Sequence, residues 1–107
     1  MRYSVFITDT ALKDLNEIDS YLTEKSSERI ARQIYFEIKR SCLSLEKFPL
    51  RGHEPPELIT RRNPGILEIH CKVYRIFYRI MEKNVYIISI IDGRRNVSEL
   101  LKKRLLK

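Results

Sequence analysis

The stretch PLRGHEPPELITRRNPG, residues 49–65, holds all four prolines and two of the three glycines of this 107-residue chain. Proline has no amide hydrogen for a helix or a ladder, and glycine loses the most backbone entropy when it is fixed. No regular element crosses such a segment, so the chain divides into two blocks joined by a loop. Hydrophobic residues recur mainly at helical spacing before the loop. After it they alternate through most of the second block.

The first block opens on RYSVFIT, where Tyr3, Val5 and Ile7 alternate as in a half-buried strand. Thr8 or Asp9 can cap a helix whose stripe is Ala11, Leu12, Leu15, Ile18 and Leu22. Ser26 or Ser27 starts a second helix. Its stripe runs through Ile30, Ala31, Ile34, Ile38, Cys42, Leu45 and Phe48 and ends before Pro49. So short a link makes the pair an antiparallel helical hairpin.

The second block reads ILEIH, VYRIFYRIM and VYIISII, three strand-like runs, with Glu82-Lys83-Asn84 as the hairpin signal between the last two. After Gly93, Val97, Leu100, Leu101, Arg104 and Leu105 return to helical steps. Asn96 with Glu99 forms a capping-box pattern, with Asn where Ser or Thr is usual. The order defines an α+β fold in one domain, residues 1–107: an N-terminal strand, an antiparallel helical hairpin, a three-stranded antiparallel meander and a short C-terminal helix. An antiparallel sheet with the hairpin on one face is the expected arrangement.

A hydrophobic content of 43% suits a folded chain. No run approaches the ~18 apolar residues of a membrane span. The start, MRYSVFITDTALKDL, lacks the apolar run and cleavage site of a signal peptide. Cys42 and Cys71 show no metal-ligand spacing, so a reduced cytoplasmic protein without metal or cofactor is expected. Residues 1–65 carry a net charge of +1 and residues 66–107 a net of +6. That field suits a polyanion or an acidic protein segment as partner, or is simply a soluble surface of one sign.

In VYRIFYRIM, Tyr74, Ile76, Tyr78 and Ile80 share one face and Val73, Arg75, Phe77 and Arg79 the other. With the hairpin on the first face, the second presents two arginines flanking a ring. Arginine forks match phosphate oxygens and an aromatic face can stack a base. Arg75 is the better candidate, while Arg79 reads as an arginine snorkelling to solvent. Arg94 and Arg95 precede a helix N-terminus, where free amides and guanidinium groups can converge on an anion. His53 and His70 are candidates for general acid or base, although no triad, phosphate loop or metal spacing accompanies them.

Four stretches, YSVFITDTALKDLNEI, FPLRGHEPPEL, EIHCKVYRIFYRI and VYIISIIDGRRNVSELLKKRLL, together resemble the RelE/ParE superfamily of toxins of bacterial type II toxin–antitoxin systems, which includes plasmid stabilisation proteins. The tyrosine-arginine in the third strand and the Gly-Arg-Arg before the last helix are the more specific marks. The resemblance implies a cytoplasmic growth-inhibiting toxin neutralised by a cognate antitoxin, whose acidic segment the basic surface suits. It also implies one of two activities. RelE-like members are metal-independent mRNA interferases that cut message on the ribosome by 2′-hydroxyl attack. ParE-like members are gyrase inhibitors that catalyse nothing themselves.

By this resemblance Arg75 matches a phosphate-contacting arginine and Arg95 the arginine after the fourth strand. His70, with Glu68 as a further candidate base, completes a set of His70, Arg75 and Arg95 for a ribonuclease. Where the nuclease type has lysines, this chain has Ile66 and Glu68. Where nucleases place an aromatic acid, it has Leu100 and Leu101. These departures and the long helical hairpin favour the ParE-like branch. A non-catalytic nucleic-acid-binding module is a third option, and Arg75, Arg79, Arg94 and Arg95 are the expected anion or partner contacts.

Overall fold

The computed structural model describes residues 2–58 and 65–105. Strand β1 (Ser4–Ile7) leads into helix α1 (Asp9–Lys25), then α2 (Glu28–Leu43). Thr8 and Ser27 cap the two helices, their hydroxyls accepting from the amides of Ala11 at 3.3 Å and Ile30 at 3.1 Å. After the loop come β2 (Ile66–Cys71), β3 (Tyr74–Met81), β4 (Asn84–Asp92) and helix α3 (Val97–Leu105). At the head of α3, Asn96 accepts from the amide of Glu99 and donates to its carboxylate, each at 3.2 Å.

Strands β2, β3 and β4 form the antiparallel meander, but β1 lies parallel to β4, giving the order β1-β4-β3-β2. The sheet is therefore mixed rather than wholly antiparallel. Alternate strands of a meander run the same way, and the chain enters β2 in the direction of β1. Strand β4 then inherits that direction. β1 covers only Asn84–Ile87, leaving the rest of β4 unpaired on that side among the described strands. A bulge beside Phe77 and Tyr78, where Phe77 faces Ser89 and Tyr78 faces Ile87, shifts the alternation of β4. Ile87 and Ile90 consequently both face the helical hairpin.

Each face of the sheet has its own core. Ala11, Leu15, Ile38 and Cys42 of the hairpin pack on Ile69, Tyr74, Ile76, Tyr78, Val85 and Ile87. Burial pushes the Cys42 thiol up to about 12, so it acts as a small hydrophobe. On the opposite face, Val97 and Leu101 of α3, with Leu58, pack on Ile66, Phe77 and Ile91. Phe77, expected as an open stacking ring, is fully buried there. The periodicity of the last helix already foretold an apolar stripe, and that stripe needs a sheet face to cover.

Helix α2 stops five residues short of Phe48, its expected end, and a 3₁₀ turn (Ser44–Glu46) follows. Ser44 Oγ donates to the carbonyl of Ser41 at 2.6 Å and accepts from Arg51 Nη2 at 2.9 Å, offering the backbone a tighter turn than an α-helix. Phe48 is consequently 63% exposed.

The loop is docked on the sheet, with a 3₁₀ turn at Pro56–Leu58; its residues 59–64 lie outside the described ones. Buried Tyr78 holds it, donating its hydroxyl to the carbonyl of Pro49 at 2.7 Å and accepting from the amide of Gly52 at 3.0 Å. A Cβ at Gly52 would fall 2.7 Å from the carbonyl oxygen of Glu68, so only glycine fits there. Tyr78→Phe should lower unfolding stability in urea by about 1–3 kcal/mol, the cost of stranding these two backbone groups.

Candidate functional site

Side chains on one face of a strand recur every second residue, so Glu68 and His70 of β2 share the α3 face with Arg75 and Phe77 of β3. Arg75 lies directly opposite His70, and Glu68 opposite Phe77. From this position Arg75 donates to Glu68 through Nε (2.7 Å) and Nη2 (2.8 Å). It also donates to Glu57, from the docked loop, through Nη1 and Nη2, both at 2.7 Å. One N–H of the guanidinium is left over. Its plane also lies against buried Phe77, with Cζ 5.2 Å from the ring centre.

The electrostatics follow from these contacts. Hydrogen bonding from Arg75 holds the Glu57 carboxyl below its ordinary value, against a smaller opposing effect of burial. Glu57 and then Glu68 push the Arg75 guanidinium further above its already high value. Glu68 is 1% exposed, and two imidazoles stand at its outer edge: His53 Nε2 is 3.3 Å from Oε1 and His70 Nε2 is 3.2 Å from Oε2. The imidazole rings lie edge to face with centroids 5.5 Å apart, and both are more than half exposed. With neutral imidazoles, two carboxylates against one guanidinium leave the cluster at net −1.

The turn between β4 and α3 is organised around Asp92. Its carboxylate accepts from the Arg94 amide at 2.9 Å and from Arg94 Nε and Nη2 at 3.0 and 2.7 Å. The hydrogen bonds from Arg94 hold the Asp92 carboxyl below its ordinary value. Arg94 is thus engaged by a neighbouring carboxylate, whereas the Arg95 side chain makes no hydrogen bond or ion pair among the described residues. Arg95 lines a cleft of about 420 Å³ between α1, β4 and α3, together with Tyr21, Tyr74, Asp14 and Arg104.

Asp14 and Arg104 close the inner end of that cleft. Arg104 donates to Asp14 through Nη1 (2.6 Å) and Nη2 (2.7 Å), and Nη1 also contacts the Ser89 hydroxyl. Asp14 accepts in addition from the amide of Ile90 at 2.9 Å. The pair ties α3 to α1 across the free edge of β4.

Of the residues singled out from the sequence, His70 and Arg75 are brought together, with Glu68 between them. Arg95 belongs to the separate cleft, Arg94 to the Asp92 turn, and Arg79 to a small hollow with Ile88, Leu101 and Leu105. The roles of Glu57, Asp14 and Arg104 went unread. Asp14 lies three residues after Ala11 and four before Ile18, and Arg104 four after Leu100, so a charge within each apolar stripe was the available signal. Glu57, on an irregular segment, offered none.

A four-stranded sheet carrying a helical hairpin on one face and a short C-terminal helix on the other is the RelE/ParE fold. The chain is similar to several solved examples. It superposes with a TM-score of 0.72 on a chain of the chromosomal ParDE toxin–antitoxin system from P. aeruginosa, at 18% identity, covering 85% of this chain and 96% of that one. A free-state mutant of the RelE toxin from E. coli gives a TM-score of 0.64 at 17% identity, over 99% and 97% of the two chains. The RelBE2 toxin–antitoxin complex from Mycobacterium tuberculosis gives 0.59 at 24%, over 86% and 99%.

Residues 5–97 match the family of ParE toxins of type II toxin–antitoxin systems, parDE, and the chain belongs to that family. Among curated proteins it is 26% identical over 91 residues to Toxin ParE3 of Caulobacter vibrioides, covering 85% of this chain and 87% of that protein.

The depressed Glu57 carboxyl has a pH consequence. In acid the unfolded chain binds a proton at Glu57 before the folded one does, so its contribution is complete above the ordinary glutamate value of 4.5 and is lost as pH falls through the lower folded value. Glu57→Gln should therefore flatten the acid limb of the stability–pH curve measured by urea unfolding.

Proposed function

We propose that this ParE-family toxin arrests growth by poisoning DNA gyrase, not by cutting message, and that a cognate antitoxin neutralises it. The observation that supports this reading is the occupation of Arg75. Cleavage by 2′-hydroxyl attack requires a cation free to stabilise charge at phosphorus. Here four of the five guanidinium N–H groups are taken by Glu57 and Glu68, two carboxylates that stand where a phosphate would have to bind. Ile66 and Leu101, where nuclease relatives were expected to carry lysine and an aromatic acid, are instead core residues 0% and 1% exposed.

The antitoxin reading draws on the basic C-terminal part and on the ParDE and RelBE complexes of the structural relatives. Arg95 is exposed where it lines the cleft, Arg94 is exposed on the neighbouring turn and Arg79 is partly exposed on the sheet. They are the proposed contacts for an acidic partner segment, and such rim charges act chiefly on association rate and its salt dependence.

Purified toxin should stall gyrase in a supercoiling and DNA-cleavage assay, and antitoxin should relieve the block. Message on translating ribosomes, read by primer extension, should stay intact. His70→Ala should keep full toxicity. Cleaved message with unaffected gyrase, or loss of toxicity in a folded His70→Ala variant, would transfer the protein to the ribonuclease class. Arg94→Ala with Arg95→Ala should slow antitoxin association most at low ionic strength.

A further inference from the structure

The cluster around Glu68 has a donor set that neither gyrase nor antitoxin binding requires. His53, Glu68 and His70 each present one ligand atom, and the three atoms lie within 4.8 Å of one another. The two imidazole-to-carboxylate separations are 3.3 and 3.2 Å. A tetrahedral ion with bonds of about 2.0–2.1 Å holds its ligands roughly 3.3 Å apart, a spacing each imidazole already has to one oxygen of Glu68, Oε1 for His53 and Oε2 for His70; the exposed rings would turn inward to share one ion.

The chemistry of the set is selective. Two imidazoles with one carboxylate suit Zn²⁺ and its late first-row neighbours, leaving a fourth position for water; Mg²⁺ and Ca²⁺ prefer all-oxygen shells. The ligands are also held in place. Glu68 and His70 project from the same face of β2, and His53 is tied to Glu68 through both backbone groups, at 3.0 and 2.8 Å. Arg75 hydrogen-bonds the Glu68 carboxylate from behind, as outer-shell partners of ligating carboxylates do. Its charge is offset by Glu57, so the site as a whole is anionic and attracts a cation. The imidazoles are 60% and 57% exposed, which gives an ion a path in from solvent.

We propose that His53, Glu68 and His70 bind one divalent transition-metal ion of the Zn²⁺ class, which fastens the docked loop to strand β2. Cys71 is the neighbouring donor that could mislead, since it follows His70 directly, and Cys42 is buried.

The test uses untagged, metal-free full-length chain. ZnCl₂ is titrated by calorimetry, and CoCl₂ is followed by its visible absorption. The expected result is one ion per chain, a rise in Tm with Zn²⁺, and tetrahedral Co²⁺ bands. His53→Ala and His70→Ala, both at exposed positions, should remain folded by circular dichroism. Each should weaken binding by more than about tenfold, a loss that even an outer-shell change can cause. Cys71→Ser should bind as the parent does, and excess Mg²⁺ should not compete. The proposal is overturned if the parent chain takes up no stoichiometric Zn²⁺. It is equally overturned if either histidine variant binds as tightly as the parent, or if Cys71→Ser abolishes binding.

Discussion

The bidentate grip of Arg75 on Glu68 and Glu57 is the contact on which the rest of the α3 face depends. A guanidinium and a carboxylate taken from water each lose several kcal/mol of solvation, and only close pairing with complete hydrogen bonding recovers it. Glu68, almost wholly buried, has both carboxylate oxygens hydrogen-bonded by Arg75. Arg75 in turn draws Glu57, and with it the loop, onto the sheet. Tyr78 secures the same loop from the other face of the same strand. Two residues of β3, Arg75 and Tyr78, therefore anchor the loop from opposite faces of the sheet, although that segment is the poorest in regular structure.

That arrangement bears on what a shared fold can do. This chain places an arginine on its third strand, and the neighbours of such a side chain decide whether its charge is offered to a ligand or consumed internally. In this chain carboxylates consume it. Accessible cations stand elsewhere, among them those of the β4–α3 turn and of α3, where Lys102 and Lys103 face solvent. The Arg75 cluster and the basic turn are thus spatially separate, and a substitution in one need not disturb the other.

Much of the architecture was legible because periodicity reports burial directly. The stripe of Ala11, Leu15, Ile38 and Cys42 and the alternation of Tyr74, Ile76 and Tyr78 all meet in one core. What escaped was set by contacts distant in sequence. The parallel placement of β1 depends on which edge it reaches, and nothing local encodes that. The early end of α2 depends on Arg51 reaching back to Ser44. The burial of Phe77 follows from α3 crossing the sheet. At the site, the alternation of β3 put Arg75 on one face with Phe77. It could not show that Glu57 would arrive from the loop and change the meaning of the arginine.

The bond from the Ile90 amide to Asp14 has a consequence for behaviour in a crowded cell. Because β1 is only four residues long, the distal part of β4 would otherwise show unsatisfied amides to any passing strand. An edge of that kind is a template for runaway strand pairing, all the more so with a sequence as rich in isoleucine as IISII. A carboxylate seated on the edge occupies one of its donors, and Arg104 fixes the carboxylate there. A second strand pairing at Ile90 would have to break that ion pair first. The same contact that binds the last helix to the first thereby raises the cost of pairing one copy of the chain onto another at this edge.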